Sequence, residues 1–469
     1  MRYQVCSSFA CLLVFIAGCT SQQQEVNDPP PGASLSSGPQ TSAVQSNSCA
    51  SGACHGDTSH AADVTSAVGS EFTFYVSNDP HAQSFRPDAV LWKQILSNLG
   101  AAGDSTVEQQ CVACHLSSFA LHDEQDPAGS TVNGIGCEHC HGAAEAWIDK
   151  HYTSKWRDNL PQNYSASNMT QISDHRVQAR LCVSCHVGTP DNEVNHDMIA
   201  AGHPALMFEV AGYLELLPRH WNNQKQRKNS PEFELSIWAN GQIATTSAAV
   251  ELLKARTQNA KPWPEFAEYD CVSCHHSLSL RNLGSNSNRS GIPPWGSWHS
   301  LLTTAGLDRA MFIPSSAAAS VGGGLSNSMR ELRSGMQDAA FMDVKRVPHA
   351  LLDEVLSGLS EWKTVLDASV STSGQENQPI DFSRLMNDLL EDEVVGVTGA
   401  NSASATQYYL AMHAIHQSLY DAGKITSNDG ATANALLQLR TELEEGYDAV
   451  RFKETLLPLR SNLEQLLEH

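Results

Sequence analysis

Ten of the thirteen cysteines in this 469-residue chain form five pairs, and each pair is followed directly by a histidine. Two thiols separated by two residues can form thioether bonds to the vinyl groups of a haem while the adjacent histidine binds the iron. Four pairs have this spacing, and the first pair has four residues between its cysteines. The five sets are Cys49, Cys54 and His55; Cys111, Cys114 and His115; Cys137, Cys140 and His141; Cys182, Cys185 and His186; and Cys271, Cys274 and His275. The pattern predicts five haems c, with the four regular motifs as the firmer sites.

Disulfides, zinc sites and thioredoxin-like redox pairs are the alternatives for paired cysteines. None of them requires a histidine after the second cysteine, so haem explains the repeated pattern better. The expanded first motif is less specific. Its Ala50–Ala53 loop is small enough to bulge and let both thiols reach a haem, but a disulfide or a vestigial site is also compatible with this spacing.

Eleven further histidines lie in the segment 55–299, which also holds every Cys-His motif. Multihaem cytochromes of low potential commonly use a second histidine as the sixth iron ligand. Five of the eleven would therefore saturate the five irons.

Four histidines have the most suggestive context as distal ligands. His81 begins a predicted helix that runs through Leu91 and Ile95, and His151 follows a short helical stretch over 143–149. His196 and His203 are seven residues apart, which would place both on one face of a helix. The contexts of His122 and His220 are less informative.

The N-terminal segment is predicted to be an export signal. One arginine precedes a short apolar run from Phe9 to Ala17, which is too short to span a bilayer. The run ends in Gly18-Cys19, which resembles a bacterial lipobox in which Cys19 would become the lipid-bearing first residue. We expect a signal peptide over 1–18, a flexible Gln-, Pro- and Ser-rich tether over 19–48, and attachment to a bacterial membrane by lipid only, facing the periplasm or the cell exterior.

The charge of the chain restricts its partners. Lys and Arg number 29 against 51 Asp and Glu, a net charge of −22. A surface of this sign argues against nucleic acid, because a polyanion needs a basic surface. It favours a redox partner protein with a basic docking face.

Four strings of this sequence resemble the multihaem cytochromes c of the cytochrome c-554 type. They are Asp79–Phe85, Cys111–His115, Gly134–Gly142 and Cys182–His186. The resemblance implies a mainly α, haem-cored fold with little regular sheet, in which packed haems carry electrons, and His81 matches a distal ligand of that family. The chain departs from the four-haem family core by its fifth motif and its expanded first motif, so we expect a pentahaem domain over 49–305.

The rest of the chain, 306–469, has no cysteine, and helical periodicity dominates it. Helices are predicted over 347–368, 380–391, 403–422, 431–447 and 451–467, and another over 233–256 within the haem domain. Short Gly-, Ser- and Asn-rich segments separate them. This pattern predicts a haem-free, antiparallel helical bundle.

Electron transfer is the function that these features favour. Five haems on about 250 residues would lie close together and form a conducting chain. Whether the protein is also an enzyme is left open. The alternative is a multihaem oxidoreductase that acts on a small inorganic nitrogen or sulfur compound at a five-coordinate haem.

Overall fold

The computed structural model is mainly helical, as the sequence predicts. The structure describes residues 44, 46–58, 69–116, 132–229, 233–258, 262–275, 293–296, 298–300, 315–338, 343–371, 402–421, 423, 425, 430–445 and 447–467. Within these ranges the β pairing consists of one isolated bridge between Tyr269 and Trp295. The signal peptide, Cys19 and the helix predicted over 380–391 lie outside the described residues, as does nearly all of the tether.

Seventeen α-helices occur in the described part of the chain. They are α1 (Glu71–Asn78), α2 (Val90–Asn98), α3 (Ser105–His115), α4 (Cys137–His141), α5 (Ser154–Arg157), α6 (Leu160–Ser167), α7 (His175–His186), α8 (His196–Ala201), α9 (Val210–Leu216), α10 (Gln224–Asn229), α11 (Phe233–Gln258), α12 (Cys271–Cys274), α13 (Ser315–Asp338), α14 (His349–Ser371), α15 (Ser402–Asp421), α16 (Gly430–Glu445) and α17 (Ala449–Leu467). Short 3₁₀ helices cover Ser46–Cys49, Pro80–Gln83, Phe266–Glu268 and Val344–Arg346.

Side-chain caps begin several of the short helices before α10. Asp104 accepts a hydrogen bond from the Thr106 N–H at the start of α3, and Asp174 accepts one from the Arg176 N–H at the start of α7. A cap of this kind satisfies an N–H that has no partner within the helix. The capped helices α3 and α7 both end on a Cys-His motif, so these two acidic residues fix where the motif-bearing helices begin.

Helix α11 is the central element of the fold. Its 26 residues are buried on most faces, and Leu235 and Trp238 are fully enclosed. One side of α11 shares an apolar core with α7 and α9, another with α13 and α14, and a third with α15, α16 and α17. The apolar residues of α11 are not confined to one face, because the helix has neighbours all round. It therefore joins the region of the Cys-His motifs to the C-terminal helices.

The C-terminal helices pack against one another and against α11. Helix α13 packs on α14, and α16 packs on α17. Leu325, Met329 and Leu332 of α13 meet Val355 and Leu359 of α14 in a fully apolar contact. No helix in the described ranges is both long and apolar enough to cross a bilayer.

Two local predictions differ from the structure. The segment from His81 to Ile95 is not one helix: the 3₁₀ helix Pro80–Gln83 ends before Pro87, and α2 begins at Val90. Proline disfavours helix in the residue before it, which separates the two elements. The stretch 143–149 forms hydrogen-bonded turns rather than a helix, in which the Ile148 N–H donates to the Ala144 carbonyl.

Candidate haem-binding sites

Four of the five Cys-His motifs lie at the end of an α-helix. Helices α3, α4 and α7 each end on the histidine of a motif, and α12 ends one residue before His275. The first motif differs, because it begins at the end of the 3₁₀ helix Ser46–Cys49 and continues through turns to His55. In a regular motif the two cysteines lie on one helical turn, and the histidine follows at the end of the helix. The expanded loop of the first motif takes the place of that turn.

The thiols of the regular motifs differ in accessibility to solvent, although these motifs have the same spacing in the sequence. In the second motif Cys111 and Cys114 lie three residues apart at the end of α3, and both are half-buried. Cys185 of the fourth motif is buried, whereas Cys271 and Cys274 of the fifth are exposed. The helix supplies the spacing that thioether attachment needs at Cys111 and Cys114, and attachment at each individual thiol stays a prediction.

Each motif histidine faces a second histidine from elsewhere in the chain. The ring centroids lie 6.1 to 6.4 Å apart in every case. The five pairs are His55 with His151, His115 with His203, His141 with His220, His186 with His81, and His275 with His196. The structure therefore brings together each motif and one partner histidine, and no histidine is shared between these five pairs.

Hydrogen bonds orient several of these rings. The Nδ1 atom of His115 lies 3.1 Å from the Ser84 carbonyl, that of His151 lies 3.2 Å from the Trp147 carbonyl, and that of His203 lies 2.8 Å from the Pro204 carbonyl. A carbonyl oxygen only accepts, so each Nδ1 carries the proton and donates it. The Nε2 atom is then the unprotonated nitrogen, the form in which imidazole binds a metal.

Two of the paired histidines contact a carboxylate instead. Nδ1 of His55 lies 2.9 Å from Oε2 of Glu71, and Nδ1 of His81 lies 2.8 Å from Oδ1 of Asp79. A carboxylate likewise accepts a hydrogen bond from Nδ1–H and leaves Nε2 to bind a metal.

Burial keeps the innermost histidines neutral. Desolvation lowers the pKa of His115 and of His186 to about 3, and that of His141 to about 4. It also lowers the pKa of His203 and His220. Because iron binds neutral imidazole, these rings are in their ligating form at neutral pH.

Comparison with known proteins supports the same chemistry. Residues 48–142 match the family model of cytochrome c554 and c-prime. This similarity, over part of the chain, supports a c-type cytochrome. The match thereby supports covalently bound haem c and a role in electron transfer. The match covers the first three motifs and His81, whereas the fourth and fifth motifs lie beyond it. Searches of curated proteins and of solved structures returned no match.

The residues around each motif fit haem. Metal–imidazole bonds are about 2.0–2.1 Å long, so two imidazoles on opposite sides of one metal have ring centroids about 6.3 Å apart. The five observed separations of 6.1 to 6.4 Å agree with that value. The ten motif cysteines are thiols rather than disulfides, as thioether formation requires. In the described residues no group of three or more His, Cys, Asp or Glu side chains could hold a bare metal ion.

Aromatic rings enclose several of the paired histidines. Phe208 stacks on His186 at 4.4 Å between ring centroids, and Trp92 meets the His115 ring edge-on at 4.9 Å. These contacts restrict ring rotation, so they help to hold the direction of Nε2.

The string Gly134–Gly142 and the segment of His81 are joined by main-chain hydrogen bonds. The Ile135 N–H donates to the His81 carbonyl, and the Asn133 N–H donates to the Ala82 carbonyl. A side chain at position 134 would come within 2.4 Å of the His81 carbonyl oxygen, so only glycine permits this approach. The two strings are therefore in direct contact in the fold.

His196 and His203 do not share a helix face, contrary to the sequence prediction. Helix α8 begins at His196 and ends at Ala201, and Gly202 follows with φ of 120°. The chain turns there, so His203 faces His115 while His196 faces His275. One short segment thus supplies partners to two motifs.

His220 faces His141, although its sequence context did not single it out as a partner. It lies in the loop after α9, beside Trp221, and no local pattern distinguishes it. Only the approach of this loop to α4 brings it to His141. His175, by contrast, contacts Ser236 rather than a motif histidine, and His122 lies outside the described residues.

Proposed function

We propose that this c-type cytochrome is an exported, lipid-anchored electron carrier with five haems, each held between two histidines. The observation that carries the proposal is the pairing of all five motif histidines at 6.1 to 6.4 Å. The distal ligands would be His81, His151, His196, His203 and His220. The haem supplies one-electron chemistry when bound, and the protein positions and tunes it.

Contacts between neighbouring sites support a continuous path for electrons. The Cys137 N–H of the third motif donates to the hydroxyl of Ser46, in the 3₁₀ helix that ends on Cys49, and the Ile135 N–H, two residues before Cys137, donates to the carbonyl of His81 at the fourth site. These contacts make the first, third and fourth sites direct neighbours.

The path continues to the second and fifth sites. The hydroxyl of Ser84 lies within hydrogen-bond distance of the carbonyls of both His81 and His115, which belong to the fourth and second sites. The segment of α8 carries the partners of the second and fifth motifs, His203 and His196. The sites therefore follow one another in the order first, third, fourth, second, fifth.

The two ends of this order are the most accessible sites. Cys54 of the first motif is exposed, and so are Cys271 and Cys274 of the fifth. Cys185 of the fourth motif is buried, and Cys137 and Cys140 of the third are half-buried. We infer that electrons enter and leave at the first and fifth haems, where a redox partner with a basic face could dock on this acidic protein.

Full pairing also weighs against the alternative function. An oxidoreductase that acts on a small nitrogen or sulfur compound needs an iron with an open position. Here each motif histidine has a partner, and with both bound no iron position is left for a substrate. The pairing therefore favours electron transfer over catalysis.

The experiment is a count of haems and of their spin states on protein matured with the c-type haem attachment machinery. Intact mass of the membrane-bound protein should show five covalent haems together with a lipid on Cys19, and EPR should show low-spin iron only. High-spin iron in the wild-type protein would contradict pairing at that site. Four haems would point to the expanded first motif as the one without haem.

A ligand variant makes the test specific. His220→Ala should convert one haem of the five to high spin, because it removes the sixth ligand opposite His141. The matched control is His175→Ala, a half-buried histidine whose Nδ1 contacts Ser236 instead of a motif, and it should leave all five haems low-spin. Equal spectra for the two variants would contradict the assignment of His220 as an iron ligand.

A further inference from the structure

The five sites differ in what the ligand imidazoles hydrogen-bond to. At the second site both rings donate Nδ1–H to neutral carbonyls, those of Ser84 and Pro204. At the first site one ring donates to the carboxylate of Glu71, and at the fourth site one ring donates to the carboxylate of Asp79. The first and fourth sites therefore each have a negative charge one hydrogen bond away from an iron ligand.

We propose that Glu71 and Asp79 are positioning residues that lower the redox potentials of the first and fourth haems. This inference rests on the proposed function, because it takes His55 and His81 as iron ligands. Each haem accepts one electron from the redox partner, which reduces ferric to ferrous iron, and gives it up in the reverse step. A carboxylate that accepts the Nδ1 proton makes the imidazole a stronger donor and stabilises the more positive, ferric state.

Both carboxylates are held in place by a second hydrogen bond. Glu71 Oε2 also accepts from the Gly69 N–H at 3.0 Å, and Asp79 Oδ1 also accepts from the His81 N–H at 2.9 Å, which caps the 3₁₀ helix Pro80–Gln83. Neither carboxylate is thus a mobile surface group that meets its histidine by chance. The backbone presents each oxygen to the ring.

The two carboxylates differ in exposure to solvent. The Asp79 side chain is 2% exposed, whereas the Glu71 side chain is 27% exposed and its partner His55 is 41% exposed. Water screens the charge of Glu71 more strongly. Asp79 should therefore have the larger effect on its haem.

The test removes the charge and keeps the shape. Asp79→Asn and Glu71→Gln retain an oxygen that can accept from the His81 and Gly69 N–H groups, so the cap and the loop are preserved. Replacing the charged hydrogen-bond acceptor by a neutral one weakens the stabilisation of the ferric state by about 1.4 kcal/mol. This corresponds to roughly a tenfold change in the ferrous-to-ferric ratio. For a one-electron couple that change corresponds to about 59 mV.

The measurement is a potentiometric titration of the fully matured protein, followed by optical and EPR spectra. In each variant we expect one of the five components to show the largest move to a more positive potential. The expected change in its ferrous-to-ferric ratio is up to tenfold in Asp79→Asn and smaller in Glu71→Gln. The component of the fourth haem is identified as the one that loses its low-spin signal in His81→Ala. That of the first haem is identified in the same way with His151→Ala.

The matched control is Asp88→Asn, which removes the same charge from a fully exposed side chain paired with Lys93 rather than with a histidine. It should leave all five components unchanged. A uniform shift in all three variants would mean a general effect of charge, and it would overturn the proposal. Unchanged potentials in Asp79→Asn and Glu71→Gln, with five low-spin haems retained, would assign both carboxylates a purely structural role.

Failure of the proposed function would look different. Wild-type protein with a missing or high-spin haem would contradict the five-haem assignment before any variant is made. If the affected haem were the first or the fourth, the proposed effect of Glu71 or Asp79 on its potential would fail as well. If another haem were affected, the potential shifts in Asp79→Asn and Glu71→Gln would still test the proposal.

Discussion

The Cys-His region and the C-terminal helical region are stabilised in different ways. Before α10, the helices are 4 to 12 residues long and are held by side-chain caps and by loops. From α13 to α17 they are 16 to 24 residues long and share extended apolar contacts. Helices of fewer than about 12–15 residues are marginal on their own in water. The first region must therefore obtain much of its core from something other than its side chains.

The composition of the apolar clusters shows the same contrast. Between α4 and α6 the buried cluster consists of Ala144, Trp147 and Trp156 with a few half-buried neighbours. The cluster around α15 has more than twenty buried members, including Tyr408 and Phe452. In the Cys-His region the haem would provide the apolar mass.

Withholding haem is the strongest test of this difference. Without the attachment machinery, we expect residues 69–116 and 132–186 to lose amide protection. Their local stability should fall towards zero from a global value of about 5–15 kcal/mol. The helices α13 to α17 should keep slow hydrogen exchange, because their contacts are between side chains. Equal loss of protection in both regions would remove the contrast.

A cavity in the helical region should have the next largest effect. Trp238→Ala removes a fully buried side chain where α11 meets α15 to α17, at a cost of about 3–5 kcal/mol. Chemical denaturation followed by circular dichroism measures it. Leu457→Ala on α17, where the side chain is 65% exposed, is the control and should change stability by less than about 0.5 kcal/mol. A change in the haem spectrum of Trp238→Ala in native buffer would show that the two regions are not stabilised separately.

The boundary between the regions contains a buried acid whose effect should be smaller and dependent on pH. Glu209 accepts hydrogen bonds from the N–H groups of Ala211 and Gly212 at the start of α9, and burial raises its pKa from 4.5 to about 7. The folded protein thus holds this proton more tightly than the unfolded chain does. Its contribution to stability is complete below pH 4.5 and is lost as the pH rises through 7, on the order of 3 kcal/mol in total.

Glu209→Gln measures that contribution by difference. The free energy of unfolding of the wild-type protein should fall relative to that of the variant between pH 4.5 and 7. Titrations elsewhere in the chain are common to both proteins and cancel. Parallel pH profiles would show that Glu209 is not protonated preferentially in the folded state.

Much of the helical region could be predicted from periodicity. The helix predicted over 233–256 is observed as Phe233–Gln258, and that predicted over 451–467 is observed as Ala449–Leu467. Long segments with apolar residues at three- and four-residue steps can be recognised as helices from the sequence. The short segments around His81 and His151 do not, because one proline or a few tertiary hydrogen bonds decide their conformation.

The sequence alone determined the positions of the five Cys-His motifs, since thioether attachment requires only residues close together in the chain, such as Cys111 and Cys114. The tertiary structure decided which histidine faces which motif: His81 faces His186, and His220 faces His141. It also decided which sites have a carboxylate on a paired histidine, and in the described residues these are the first and the fourth. These pairings join segments far apart in sequence through the packing of short helices and loops, and no local pattern of residues encodes such an approach.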